Sequence, residues 1–253
     1  MTRIVPKTPA QLAKMRRAGQ IVAEVLELVR LEARPWVTTQ KLDRISEELI
    51  VARGGTPAFK GYRGYPAAIC TSVNEQVVHG IPGPRELQEG DVLSVDVGVF
   101  FDGYAGDAAI TLEIGECSPE ARRLIECTRR SLDAALQVVK TGALVSDIGR
   151  AVQETARSAG FAVVRKYTGH GIGSAIHEPP QVPNFVSYWP GGSGPELPCG
   201  ATIAIEPMLN AGTHRVEVLA DGWTVVTKDG KLSAHFEHTV SVEDYGPVIL
   251  TTL

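Results

Sequence analysis

A pattern of five features occurs twice along the 253 residues of the chain, in the same order each time. Each copy opens with a long amphipathic segment that begins at a hydroxyl residue and a proline, Thr8-Pro9 and then Ser118-Pro119, a pair that suits the N-cap and first position of a helix. A shorter helical segment follows, beginning at Thr39 in the first copy and at Ser146 in the second. The tripeptide His-Gly-Ile comes next, and two strand-like segments complete the copy.

The matching positions of the two copies make duplication a better explanation than chance. The tripeptides lie at 79–81 and 170–172, and each first strand-like segment runs from a glycine to an acidic residue. The repeat predicts an α+β fold in which two pseudo-two-fold halves, approximately 8–115 and 118–245, share a central antiparallel sheet covered by four helices. We expect one domain over residues 1–253, because no linker-like stretch separates the halves.

Each of the four strand-like segments carries an acidic residue in its polar phase. Side chains alternate between the two faces of a strand, and the apolar residues of these segments fall opposite the acids. The four acids are Asp96, Asp107, Glu206 and Glu237. A solvated sheet face is the ordinary explanation of one such acid, but these acids have small neighbours such as Ser94 and Ala204 in place of Lys or Arg. The small neighbours indicate a covered floor.

A cleft that holds four carboxylates requires protons or cations. Two unit charges ~4 Å apart repel by roughly 4 kcal/mol at an effective dielectric constant of 20. Two divalent ions would neutralise the cluster, and carboxylates can bridge such a pair. His170, which is flanked by glycines, is the candidate nitrogen ligand. An oxygen-rich site with one imidazole and no thiolate favours Mn, Fe(II) or Co(II) over structural zinc.

In their order and intervals, these five residues resemble the metal ligands of the methionine aminopeptidases, a family with the "pita-bread" fold. The segments that carry the resemblance are 69–82, 169–173, 205–208, 221–224 and 233–239. The intervals of 36 residues from His170 to Glu206 and 31 from Glu206 to Glu237 are similar to the type I class, because type II members carry a helical insertion there. The chain begins directly with its first helix, so the resemblance implies a short bacterial form.

The resemblance implies an enzyme that removes the N-terminal methionine from nascent proteins and peptides when the second residue is small. Asp107 and Glu237 would bridge two divalent ions of Co, Mn, Fe(II) or Zn. Asp96 would chelate one ion, and His170 with Glu206 would complete the other. Glu206 would also be the general base for the water that attacks the first peptide bond.

The resemblance also implies roles around the metals. His79 and His177 would contact the scissile amide as catalytic and substrate-binding residues. The methionine pocket would be lined by Phe59, Tyr62, Tyr65, Cys70 and Trp223. Ile176 departs from the family pattern, which often has an aromatic residue there, and would either widen this pocket or alter inhibitor fit, with methionine still accepted. Asn74 and Ser233 match positions that bind a structural monovalent cation, and the remaining histidines, His214, His235 and His238, are expected to be structural.

Two other functions fit a chain of this kind. A proline-directed peptidase such as prolidase or aminopeptidase P would share the five ligands, but those enzymes carry an additional N-terminal domain, and this chain starts at the first helix. A non-catalytic pita-bread binding protein is less favoured, since such proteins lose ligands and all five are retained here. The discriminating observation is cleavage of a Met-Ala-Ser peptide as opposed to an Xaa-Pro dipeptide.

Charge and composition limit the partners. The chain has 25 basic and 29 acidic residues and a pI near 5.9, which argues against a specific nucleic-acid binder. It contains no signal peptide, no apolar run long enough for a membrane span and no C-x-x-C pair among its four cysteines. We expect a soluble cytoplasmic monomer that acts on nascent N-termini near the ribosome exit and does not associate with membranes.

Overall fold

The computed structural model describes residues 4–186 and 194–253, so residues 1–3 and 187–193 of the expected domain lie outside the description. The helices are α1 (Pro9–Glu32), α2 (Thr39–Ala52), α3 (Pro119–Val138) and α4 (Val145–Ser158). The strands of the first half are β1 (Thr56–Pro57), β2 (Cys70–Val73), β3 (Gln76–Val78), β4 (Val92–Phe101) and β5 (Tyr104–Glu113). The strands of the second half are β6 (Ala162–Val163), β7 (Gly169–Gly171), β8 (Glu178–Val182), β9 (Thr202–Ile205), β10 (Met208–Asn210), β11 (Val216–Val218), β12 (Val225–Thr227), β13 (Ser233–His235), β14 (Glu237–Glu243) and β15 (Gly246–Ile249).

The two long helices begin where the hydroxyl-proline pairs predict. Thr8 caps α1 through a capping box, because its Oγ1 accepts from the backbone N–H of Gln11 while its own N–H donates to Gln11 Oε1 at 2.8 Å. Ser118 Oγ accepts from the backbone N–H of Ala121 at 3.2 Å and caps α3. Both helix starts are therefore confirmed.

The first of the shorter helices begins at Thr39 as predicted, and only the second begins one residue away from its predicted start. Thr38 is the N-cap of α2, and its Oγ1 accepts from the backbone N–H of Lys41 at 3.1 Å. The predicted start of α4 at Ser146 was wrong by one residue, because the N-cap is Leu144. The backbone N–H of Leu144 donates to Asp147 Oδ2 at 3.1 Å, so an acidic side chain one turn later takes the place of a hydroxyl cap.

One curled antiparallel sheet connects the two halves. Its strand order is β1-β4-β5-β14-β9-β7-β8, with β2 also paired to β4 and β15 to β14. Strands β5 and β14 meet at the centre, where Glu237 pairs with Ala109 and His238 with Ala108. This order confirms the predicted α+β fold, in which the acid-bearing strands of each half lie side by side around a pseudo-two-fold centre. Three-stranded sheets of β13-β10-β6 and β11-β12-β3 lie beside it.

The helices cover one face of the central sheet. The apolar residues of β4 and β5 pack with α1 and α2 in one hydrophobic cluster, and those of β9 and β14 pack with α3 and α4 in another. The predicted strand phases are thus the observed ones, and the acids project from the other face. No helix among the described residues has both the length and the apolar character needed to cross a bilayer. That residues 1–253 form a single domain stays a prediction.

Candidate metal centre

Neighbouring strands deliver the four acids and His170 to one cavity of about 440 Å³. Asp96 lies on β4, Asp107 on β5 and Glu237 at the start of β14, while Glu206 directly follows β9. His170 lies on β7 itself. The ligand candidates therefore follow one another across the sheet in the order β4, β5, β14, β9 and β7.

A small residue at the centre of the sheet leaves room for this cluster. Ala109 pairs with Asp96 on one side and with Glu237 on the other, and it shares the face of Asp107 because it is two residues further along the same strand. Its methyl group occupies little space between the carboxylates. The small neighbours seen in the sequence thus form the floor beneath the acids.

The polar atoms of the cluster are close together and short of partners. Ligand atoms of Asp107, His170 and Glu237 all lie within 4.8 Å of one another, and His170 Nε2 is 3.5 Å from Glu206 Oε1. Asp96 Oδ1, Asp107 Oδ1 and Glu237 Oε1 are buried without a hydrogen-bond partner among the described residues. Buried polar atoms in native proteins are nearly always paired, so this group of bare oxygens fits a cation.

Burial changes the proton affinity of every group in the cluster. It raises the pKa of Asp96 to about 7 and that of Asp107, Glu206 and Glu237 well above the ordinary value, and neighbouring negative charges raise the last three further. Burial lowers the pKa of His170 to about 4. His170 Nδ1 is 2.9 Å from the Gly171 carbonyl oxygen, which leaves Nε2 free to face the cavity. Neutral imidazole and crowded carboxyls are the donor set of a divalent metal site.

His79 and His177 stand beside this cluster. The ring of His177 lies 4.3 Å from that of His170, and its Nδ1 is 3.1 Å from the Tyr62 hydroxyl. His79 follows β3 at a positive φ of 59°, and its ring meets the edge of Tyr167 at 5.5 Å. Burial lowers the pKa of both histidines, that of His79 to about 4, so both are neutral near pH 7. Both line the cavity together with the five ligand candidates.

The expected methionine pocket forms one wall of the same cavity. All five of its residues line the cavity: Phe59, Tyr62, Tyr65, Cys70 and Trp223. The Tyr65 ring meets Trp223 edge-on at 5.1 Å, and its hydroxyl donates to the Gly80 carbonyl oxygen at 2.9 Å. Burial raises the pKa of the Cys70 thiol, so Cys70 is a neutral apolar contact and neither a thiolate ligand nor a nucleophile.

Ile176 lies behind the aromatic residues of the pocket. It is buried in a cluster with Met15 and Ile172, against which Phe59 and Tyr62 pack, and the described lining of the cavity does not include it. A branched aliphatic residue here therefore acts on the pocket through the rings in front of it. Its effect on the width of the pocket and on inhibitor fit stays a prediction.

Asn74 and Ser233 lie next to each other but outside the cavity. The Asn74 carbonyl oxygen accepts from the Ser233 backbone N–H at 2.9 Å. The Asn74 side chain donates to Asp91 Oδ1 at 2.7 Å and accepts from the Val92 N–H at 2.9 Å, which explains the positive φ of 59° at Asn74 as part of a local turn. A monovalent cation at this pair stays a prediction.

Several residues that line the cavity were not predicted from the sequence. They are Arg63, Lys166, Tyr167, Thr168 and Gln181. Their position in the sequence next to predicted site residues could have identified some of them, because Arg63 follows Tyr62 and residues 166–168 lie just before His170. His235, expected to be structural, lies behind Glu237 with its Nε2 3.8 Å from Glu237 Oε2.

Known proteins match both the sequence and this geometry. Residues 13–244 match the family described as Metallopeptidase family M24. The chain is 47% identical over 250 residues to a methionine aminopeptidase of Clostridium perfringens, with 99% of both chains covered. The crystal structure of methionine aminopeptidase from Thermotoga maritima has a TM-score of 0.96 at 44% identity and full coverage of both chains. Prolidase from Pyrococcus furiosus, at 19% identity and a TM-score of 0.80 over 99% of this chain and 66% of its own, shares the fold.

Proposed function

The chain belongs to metallopeptidase family M24, and we propose that it is an aminopeptidase that hydrolyses the first peptide bond of polypeptides and releases their N-terminal methionine. The observation that carries this proposal is the buried group of four carboxylates and one imidazole in a cavity lined by aromatic residues. The proline-directed alternative is not favoured, because relatives at about 47% identity are methionine aminopeptidases, whereas the prolidase likeness extends to the fold alone.

Two divalent ions of Co, Mn, Fe(II) or Zn are the proposed cofactors, held by Asp96, Asp107, His170, Glu206 and Glu237. The strand order supports the division of labour among these ligands. Asp107 and Glu237 come from the two central strands, with Asp96 on one side and Glu206 and His170 on the other, and these five side chains would hold the ions. When bound, such ions lower the pKa of a water molecule and polarise the substrate carbonyl.

The side chains around the ions transfer the proton and bind the substrate. Glu206, whose Oε1 lies beside His170 Nε2, accepts the proton of the attacking water as general base. His79 and His177, which are neutral, bind and orient the scissile amide. The Tyr62 hydroxyl holds the ring of His177 through Nδ1, so that Nε2 is left for the substrate.

The aromatic wall selects the side chain to be removed. Phe59, Tyr65 and Trp223 offer flat apolar surfaces, and a thioether sulfur packs favourably against such rings. The metal cluster, the histidines and the pocket residues share one cavity of about 440 Å³, so the second residue of the substrate lies among the same side chains as the methionine. A small second residue is therefore the preferred substrate.

The cellular setting is also part of the proposal. The enzyme acts in the cytoplasm as a monomer on nascent N-termini near the ribosome exit, without a specific nucleic-acid or membrane partner.

A structural monovalent cation binds near Asn74 and Ser233, where two chain segments are joined by a backbone hydrogen bond.

The assay uses metal-free protein and the peptide Met-Ala-Ser. We expect methionine release only after Mn, Co or Fe(II) is added, and much slower release from Met-Leu-Ser, because the larger second residue crowds the cavity. Asp107→Asn is the matched control and should bind metal poorly and show no turnover. Equal turnover of an Xaa-Pro dipeptide would contradict the proposal and favour the prolidase type.

A further inference from the structure

His235 is a buried histidine for which the reaction described above has no use. It lies at the end of β13, where it pairs with Met208 of β10. Its backbone is held twice by Thr111, whose Oγ1 donates to the His235 carbonyl oxygen at 2.7 Å and accepts from its N–H at 2.9 Å. The residue belongs to the second half of the chain and is tied to β5 of the first half, so its position is well determined.

The ring nitrogen of His235 faces the metal cluster. Its side chain is 2% exposed, and Nε2 has no hydrogen-bond partner among the described residues. The nearest acidic atom is Glu237 Oε2 at 3.8 Å, while Glu237 Oε1 is itself buried without a partner. The unpartnered Nε2 of His235 and the Glu237 carboxylate thus face each other at a distance less than 1 Å beyond the hydrogen-bond range, in which N–H···O distances reach about 3.2 Å.

Spacing along the strand explains why the two side chains meet. Residues 235 and 237 are two apart in an extended segment, so their side chains project to the same side. A neutral imidazole carries one N–H donor and one acceptor nitrogen. A carboxylate that ligates a metal has only acceptor atoms, so the complementary tautomer is the one with the proton on Nε2.

We infer that His235 is a positioning residue for the metal centre: its Nε2–H donates to Glu237 Oε2 and so directs Glu237 Oε1 toward the ions. This inference rests on the proposed metal centre. Outer partners of metal ligands fix the orientation of those ligands, and their loss commonly costs about 10–100-fold in metal affinity.

The test measures the affinity of metal-free protein for Mn²⁺ by calorimetry at constant neutral pH. His235→Phe keeps a flat ring of similar size but removes the donor, and we expect about 10–100-fold weaker binding. His235→Gln places an amide N–H near the position of Nε2, and we expect an affinity close to that of the wild-type chain. His238→Phe is the matched control, because His238 bonds Thr251 Oγ1 through Nδ1 at 2.8 Å and lies on the opposite face of β14 from Glu237.

Each outcome has a separate meaning. Unchanged Mn²⁺ affinity in His235→Phe, or equal weakening in His238→Phe, would overturn the inference, as would a failure of His235→Gln to restore binding. If His235→Phe does not fold, nitrogen NMR of the Zn²⁺-loaded wild-type protein decides, with the signal assigned by its absence in His235→Gln. A proton on Nε2 supports the inference, and a proton on Nδ1 contradicts it. A wild-type chain that binds no Mn²⁺ would instead refute the proposed centre.

Discussion

At the scale of single residues, His79 has both an unusual backbone conformation and a proposed catalytic role. Its φ of 59° lies in the left-handed region, which few residues other than glycine adopt. The next residue packs closely against β2, because a Cβ at Gly80 would overlap the Thr71 carbonyl oxygen. The turn thus carries the imidazole of His79 into the cavity.

Replacement of His79 tests the ring separately from the backbone. Asparagine tolerates a positive φ better than alanine, so His79→Asn should fold. We expect kcat for Met-Ala-Ser to fall by about 10²–10⁴-fold, the usual contribution of a positioned proton donor or acceptor, while Mn²⁺ affinity stays unchanged. Steady-state kinetics and a metal titration make the measurement, and unchanged turnover would remove His79 from the mechanism.

At the scale of elements, helix α1 lies directly against strand β5 because two glycines meet. A Cβ at Gly106 would be 2.8 Å from the Gly19 nitrogen, and a Cβ at Gly19 would overlap the Leu250 carbonyl oxygen. The contact brings β5, which carries Asp107, under the first helix. Close packing without side chains at this crossing therefore supports the centre of the sheet.

Helix propensity and packing predict opposite effects of Gly19→Ala. In an exposed helix the change would stabilise by about 1 kcal/mol, but here the new methyl group meets backbone atoms that cannot move aside. We expect the free energy of unfolding to fall by about 1–3 kcal/mol, the usual range for overpacking. Urea denaturation measures it, with the exposed Arg16→Ala in the same helix as a control that should change little. A more stable Gly19→Ala would contradict this close contact between α1 and the Leu250 backbone.

At the scale of the whole molecule, the net negative charge of the chain can be assigned to the proposed metal centre. The four proposed acidic ligands account for the difference between 29 acidic and 25 basic residues, so the rest of the chain is balanced. These acids are also the groups that burial and mutual repulsion affect most. Without metal, the fold carries crowded carboxyls at its centre, and its stability depends on their protons.

Metal removal should therefore make stability sensitive to pH. A carboxyl whose pKa is raised in the folded state stabilises the fold at low pH, and this contribution is lost as pH rises toward the folded-state value. Above pH 6.5, each carboxyl that stays protonated in the folded state costs about 1.4 kcal/mol of unfolding free energy per pH unit, until the pH passes its folded-state pKa. Histidines with a lowered pKa contribute little in this window, because above the ordinary histidine pKa of about 6.5 they are mostly neutral in both states.

Thermal unfolding at several pH values gives the measurement. The melting temperature of the metal-free chain should fall as the pH rises through this window, and that of the Mn²⁺-loaded chain should change less. Metal-free Asp107→Asn should show a shallower dependence, because one raised carboxyl is gone. A metal-free melting temperature that rises with pH would contradict the prediction.

The sequence by itself determined the features that depend on neighbours along the chain. Alternation along β4, β5, β9 and β14 sorted the acids from the apolar face, and the hydroxyl-proline pairs located two helix starts. The repeat of these local patterns was enough to predict the central sheet and the meeting of its acids. The ligand candidates could be named for the same reason, since their positions follow from strand phase.

Only the tertiary structure decided which side chains meet across long separations. It put Ile176 behind the aromatic wall, Arg63 and Lys166 on the cavity lining, and His235 behind Glu237. No local pattern distinguishes a buried histidine that faces a carboxylate from one that only fills space. That difference depends on strand order and on the register of β5 against β14, which join residues more than a hundred positions apart.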